Sequence, residues 1–321
     1  MKKGERKDVF HYIPVIASLR NLLEDKSTIG MLENARNKVD SKPGLLKDLT
    51  DGIAYLNNSF FRNNPSAMAG HFYSDCVELT NPLGAAKGKH KINQVFYTVA
   101  QVSREQRSQI DRVQLCMVFK EKLIKKYGFA SIFRRLIEDL KILEGGVSLT
   151  EPVPRVMKFG ILAYSADNLE AHSLGGFSCC FSSKDVCRFC HITYDELDSH
   201  IHDFDGSDAH KYWSVKEYDN ICKDLTEEEQ DSEEVFCRIT EDNLFDDSCY
   251  QEDTTDDFSS EDEMEQDVMT EGRTMNNFGL RHKCPLNALQ SFHAVTQFPP
   301  DCMHDLMEGK LNGSELVPHL I

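Results

Sequence analysis

The sequence predicts an α/β fold: a mixed β-sheet flanked by helices, with a cysteine-containing insertion and a disordered acidic loop. Three observations lead there. Three strand-like runs follow one another between residues 71 and 119, an amphipathic helical stretch comes after them, and then a largely apolar run fit for a buried central strand.

Taken in order, residues 8–62 read as mostly helical, with Ile16, Leu19, Leu22 and Leu23 at helical spacing. The Ser-Lys-Pro-Gly at 41–44 breaks this pattern and Leu45 to Leu56 resumes it. From Gly70 the period shortens: residues His71 to Leu79 alternate as a strand does, and the Asn-Pro-Leu-Gly at 81–84 signals a turn. A basic link, Lys87 to Lys91, precedes a second strand from Ile92 to Val99, and Arg112 to Phe119 reads as a third. A helix from Phe129 to Glu144 aligns Ile132, Leu136, Leu140 and Leu143 on one face and stops at Gly145-Gly146. Val156 to Ser165 is the fourth strand; Asp167 lies at its C-terminal end, and Asn168 opens a further helix.

Composition bounds the function. The chain has 321 residues, 40% hydrophobic and 28% charged, enough for one large domain or two modest ones. No apolar run approaches the roughly 18–20 residues of a membrane span, and Tyr12 to Leu19 is too short for a signal peptide. The expected location is therefore nuclear or cytoplasmic, with no membrane association. The net charge of −17 is unevenly spread: Asp224 to Glu271 hold 21 acidic residues and one basic residue, whereas the other 273 residues carry 35 basic and 32 acidic ones. Such a stretch is expected to be a solvated, disordered loop or a docking site for a basic partner. Eleven cysteines without an export signal read as thiols or metal ligands, not a disulfide framework.

Three strands, a helix, a strand and a helix, with an Asp inside the first strand and another after the fourth, are what a ribonuclease-H-like core needs. The antiparallel strands would lead through the helix to a strand beside the first, bringing Asp75 and Asp167 together across 91 intervening residues. Two carboxylates on neighbouring strands suit Mg²⁺ or Mn²⁺, hard cations that prefer oxygen. Two such ions about 4 Å apart can activate an attacking oxygen and stabilise the leaving one in phosphodiester cleavage. His172, five positions on, either orients a ligand or packs in its helix.

Cys187-x-x-Cys190 has the spacing of half a tetrahedral zinc site. Its candidate partners are Cys179, Cys180, His191, His200, His202, His282 and Cys284; buried free thiols and a redox pair are the alternatives. A thiolate-rich zinc would be structural, since a closed site leaves no open position. Lys87, Lys89, His90 and Lys91, near Asp75, could meet a phosphate backbone. Lys120, Lys122, Lys125, Lys126, Arg134 and Arg135 form a second basic group, for which a solvated helix face is the plain reading. No phosphate loop, dinucleotide fingerprint or nucleophile elbow occurs, which leaves nucleotide-dependent and serine-hydrolase chemistry without support.

Four stretches, Phe72 to Lys91, Ser165 to Phe177, Cys187 to Cys190 and Phe298 to Gly309, resemble blocks in transposases of animal CACTA-like (En/Spm-related) DNA transposons, in the same order. The resemblance implies a ribonuclease-H-like core that cuts and rejoins transposon ends with acidic residues and divalent metal, and DNA as the partner. It puts Asp75 and Asp167 at the first two acidic positions and supports a zinc-binding cysteine pair. Two departures stand out. Ala166 precedes Asp167 where the family usually has Gly, and the third acidic position is expected well beyond Met303-His304 although the sequence ends at Ile321. Glu308 or Asp305 is the substitute, and the chain reads as a truncated or decayed copy. The expected organisation is an N-terminal helical region (1–65), the first part of the core (66–178), a Cys/His insertion with a candidate zinc site (179–223), the acidic insert (224–272) and a continuation of the transposase-like region (273–321). The competing expectation is a non-catalytic DNA- or protein-binding remnant.

Overall fold

Pro14 decides how the chain enters the fold. Proline disfavours helix in the residue before it, so in the computed structural model the segment ahead of Pro14 is extended, forming β1 (His11–Tyr12) where the sequence pattern reads as helix. The structure describes residues 8–37, 46, 48–79, 90–149, 155–179, 187–193, 212–229 and 279–301. After β1 come α1 (Val15–Leu22), α2 (Lys26–Asn37), a 3₁₀ turn at Leu49–Asp51, α3 (Ile53–Leu56) and α4 (Ser59–Asn63). The central part comprises β2 (Met68–Glu78), β3 (Lys91–Val99), α5 (Arg104–Arg107), β4 (Gln114–Lys120) and the long α6 (Lys122–Gly145). A hairpin of β5 (Val147–Leu149) and β6 (Arg155–Met157) leads to β7 (Phe159–Ser165) and α7 (Asn168–Gly175). Last come α8 (Val215–Glu229), a 3₁₀ turn at Pro285–Ala288 and α9 (Ala294–Gln297).

The main sheet has the order β1-β4-β3-β2-β7 and is mixed: β2 pairs parallel with β7 and the other neighbours are antiparallel. The fold is thus α/β with a mixed sheet flanked by helices, as the sequence predicts, and β1 adds a fifth strand that the pattern does not announce. Alternation along β2 separates two faces. Phe72 is fully buried on one, stacked between Tyr97 and Tyr164 at 5.3 and 6.3 Å and covered by α6 and α1 through Phe133, Leu136 and Leu19. Among the described residues the other face is covered near its start, where Phe60 and Phe61 of α4 pack with Ala69, Ala100 and Leu162. Further along, Tyr73 and Val77 are 41% and 40% exposed. That open stretch is where Asp75 stands.

Three elements differ from the pattern reading. Helix α6 begins seven residues earlier than Phe129, because Gly128 adopts a left-handed φ of 70° and joins two helical pieces at a kink. The apolar run from Val156 splits: its first part pairs with β5 in a separate two-stranded sheet, with Val156 64% exposed, and only Phe159–Ser165 enters the main sheet. Helix α8 continues six residues into the acidic stretch expected to be disordered, because Tyr218, Ile221, Cys222 and Leu225 recur at helical spacing and pack on the main core. The rest of that stretch, 230–272, lies outside the described residues.

After the acidic stretch the chain returns to the same core. Leu280, Cys284, Leu286, Phe292 and Phe298 are all buried in it. The buried Glu144 of α6 accepts hydrogen bonds from the backbone N–H of Gln290 and Ser291 at 3.0 and 2.8 Å. Ser291 Oγ accepts one from Ile161 N at 2.9 Å, lashing the segment to the outer edge of β7. Gly160 makes room for this, since a Cβ there would lie 2.6 Å from the Ser291 Cβ. This docking carries the chain past Phe298 to Asp301, beside the end of the central strands. Among the described residues no helix is long and apolar enough to cross a membrane.

Candidate acidic site at the end of the central strands

The parallel register of β2 and β7 runs to Tyr73 opposite Ser165. Asp75 and Asp167 each lie two residues beyond that pair, so the two carboxylates that the sequence singles out stand at the same end of adjacent strands. A hydrogen bond of 2.8 Å between His71 Nε2 and Ser165 Oγ ties the strands together just below. Burial, and then the nearby Arg107 charge, lower the His71 pKa, so its imidazole is neutral at pH 7.

Asp167 is the N-cap of α7: its Oδ1 accepts the Glu170 N–H at 2.7 Å. Capping satisfies one of the orphan donors of the first turn and fixes the direction of the carboxylate. Ala166 is only 4% exposed, so a small side chain is what the strand end accommodates there.

Glu170 is the residue that the sequence reading missed. Asp-x-x-Glu at a helix start ordinarily forms a capping box, with the Glu turned back to the N-cap N–H. Here only the Asp167 half of that box is made. The Glu170 side chain is instead turned inward, 9% exposed, and its Oε1 is buried without a hydrogen-bond partner. Burial chiefly, together with the charges of Asp167, Asp75 and Glu121, pushes its carboxyl up to about 7. The Ser74 hydroxyl lies close enough to oppose this, yet Ser74 Oγ is not aligned for a hydrogen bond and is itself unpartnered. Tyr73 reports the same concentration of charge: its phenol pKa is raised by burial and then by Asp75, Asp301, Glu170 and Asp167. Four carboxylates therefore surround the end of β2. Among the described residues no three Asp, Glu, His or Cys side chains already converge closely enough to hold a metal together.

The other predicted site residues are dispersed. Lys91 opens β3 opposite Glu78 and forms an ion pair of 3.7 Å with Glu121, at the acidic end of the sheet. Lys87, Lys89, Cys180, His200 and Glu308 lie outside the described residues. The second basic group is on a solvated face, where Lys126 pairs with Asp8 at 2.5 Å and Arg135 with Glu138 at 3.2 Å. His172 is packed, 5% exposed, with Nδ1 2.6 Å from the Asn168 carbonyl.

Cys187 and Cys190 form a tight turn. The thiol pKa of Cys187 is lowered by the Cys190 thiol, then by the Phe189 and Cys190 amides and the Arg188 charge, against the effect of burial. Phe189 N donates to Cys187 Sγ at 3.3 Å. Cys284 sits elsewhere, fully enclosed beside Tyr218, and burial pushes its thiol up to about 12. Nearer the pair, His191 packs on the Trp213 ring at 4.1 Å with Nε2 3.5 Å from Glu217.

Compared with known proteins, the chain matches no family model and no curated relative.

Proposed function

We propose that this chain is a transposase-derived, ribonuclease-H-like core whose acidic site holds Mg²⁺ or Mn²⁺ for phosphodiester cleavage and strand transfer on DNA. The observation that carries this reading is the parallel pairing of β2 with β7, which brings Asp75 and Asp167 to one end of neighbouring strands. The order β4-β3-β2-β7, with only the last pair parallel, is the strand arrangement of such a core, and β1 extends its far edge. The donor set fits a hard cation: the ligands are carboxylates, and the unpartnered Glu170 Oε1 lies among like charges that a cation would relieve.

A bound divalent ion would polarise the phosphate and favour a hydroxide-like nucleophile. Asp75 and Asp167 would hold it, and the bond from Asp167 Oδ1 to the Glu170 N–H keeps that carboxylate aimed. The third acidic place assigned by sequence to Glu308 falls, in this reading, to Glu170 or Asp301. Lys87, Lys89 and Lys91 would meet the DNA backbone, and zinc on Cys187 and Cys190 would hold the insertion in shape. Action on DNA implies a nuclear protein.

A second reading, a non-catalytic binding remnant, draws on the exposed Tyr73, Val77, Leu79 and Leu169 that rim the carboxylates. Nicking of supercoiled DNA in Mn²⁺ separates the two. The nuclease reading expects nicking by the native chain and by Asp111→Asn, and none by Asp75→Asn or Asp167→Asn. Nicking that survives both of those changes, or no nicking by the native chain, favours the remnant.

A further inference from the structure

We infer that Arg188 is a positioning residue for the acidic site, tying the Cys187–Cys190 turn to the two segments that carry Asp167 and Asp301. The inference rests on the cation-binding reading above.

Arg188 is only 3% exposed, a burial that a charged side chain rarely reaches unless it is paired. One terminal nitrogen donates to the side-chain oxygen of Asn168, the residue directly after Asp167. The other donates to the carbonyl of Pro299 at 3.0 Å, two residues before Asp301. The guanidinium also lies over the Phe189 ring, 4.3 Å from its centre. A planar fork can serve two acceptors in fixed directions at once, which a lysine ammonium on a flexible stem cannot do equally well.

The base from which Arg188 reaches is itself anchored. Trp213, 5% exposed, donates from its backbone N to the Phe189 carbonyl at 3.1 Å and from Nε1 to the Cys187 carbonyl at 3.2 Å. The turn between the two cysteines is thereby fixed to the chain entering α8. Both acceptors of Arg188 are joints: Asn168 is the first residue of α7, whose cap is the Asp167 carboxylate, and Pro299 starts the last step to Asp301. Removing the fork removes both of these ties, one to the start of α7 and one to the step before Asp301. Partners that orient metal ligands from behind typically set metal affinity by about 10–100-fold.

The test is a Mn²⁺ titration of the full chain, followed by the resonance of free Mn²⁺. The specific site is defined as the one lost in Asp75→Asn, which separates it from weak binding along the acidic stretch. Arg188→Gln is expected to weaken that site about 10-fold or more. Arg188→Lys should recover part of the loss, and Asn168→Ala, which removes one acceptor, should weaken the site several-fold. Thermal unfolding in chelator is measured beside each titration. An Arg188→Gln protein that melts earlier but binds Mn²⁺ as tightly as the native chain overturns the inference, because Arg188 is then structural only. Should Arg188→Gln not fold, Asn168→Ala decides, and unchanged affinity there is equally fatal. A native chain with no site sensitive to Asp75→Asn is a different result: the cation reading itself fails and the role of Arg188 falls with it.

Discussion

At Glu170 burial and neighbouring charge act in the same direction. A carboxyl moved from its ordinary 4.5 up to about 7 by burial and neighbouring carboxylates favours the folded state only while protonated. Its contribution to stability is complete below about 4.5 and is lost as pH rises through 7. Glu170→Gln should therefore be close to neutral at pH 4.5. At pH 8 it should be stabilising, by on the order of 2 kcal/mol. Melting temperatures in chelator at the two pH values check this, and a variant less stable than the native chain at pH 8 contradicts it. The sequence hid this residue for a physical reason. Asp-x-x-Glu ahead of a helix is satisfied by local capping, so nothing in the pattern tells that the Glu turns inward. Asp75 and Asp167 were legible because strand alternation and a strand end are local properties; the approach of Asp301 depends on a docking 130 residues downstream of β7 that no local pattern encodes.

At the scale of elements, the segment after the acidic stretch is held by a few specific fits. Gly176 ends α7 in the left-handed region at φ 80°, and a Cβ there would meet the His282 carbonyl oxygen at 1.9 Å, so the returning chain passes directly over it. Farther on, both oxygens of Glu144 accept backbone N–H groups, an arrangement that an amide cannot copy because its NH₂ faces a donor. Glu144→Gln, although isosteric, should cost on the order of 2–3 kcal/mol. Denaturant unfolding measures it, and a loss below about 0.5 kcal/mol would mean that Ser291 and the β7 edge hold the segment without Glu144. Strands β2, β3 and β4 follow from alternation in the sequence. What alternation could not give is the break after Met157, since an apolar run looks the same whether it crosses one sheet or two, or the early start of α6, which runs through a kink at Gly128.

For the whole molecule, the charge average of −17 conceals a nearly balanced body with one strongly acidic stretch. Among the described residues one face of the sheet is sealed by α6 and α1 and the other is covered at the β2 start; the carboxylates gather beyond that cover. The return of the strand after α6 to lie beside the first was legible from the sequence of element types, because antiparallel neighbours and a helical crossover leave few arrangements, whereas the edge strand β1 was not. The folding back of residues 279–301 onto α6 and β7 was not, since it rests on single contacts far apart in the chain. The claim on which the functional account depends is that two residues separated by 91 others share one cation. A double-mutant cycle on Mn²⁺ affinity of the full chain, with Asp75→Asn, Asp167→Asn and the two combined, addresses it most directly. The account predicts that each single change abolishes the same site and that the pair together loses nothing further. Two independent losses that add, or a site untouched by either change, would contradict it.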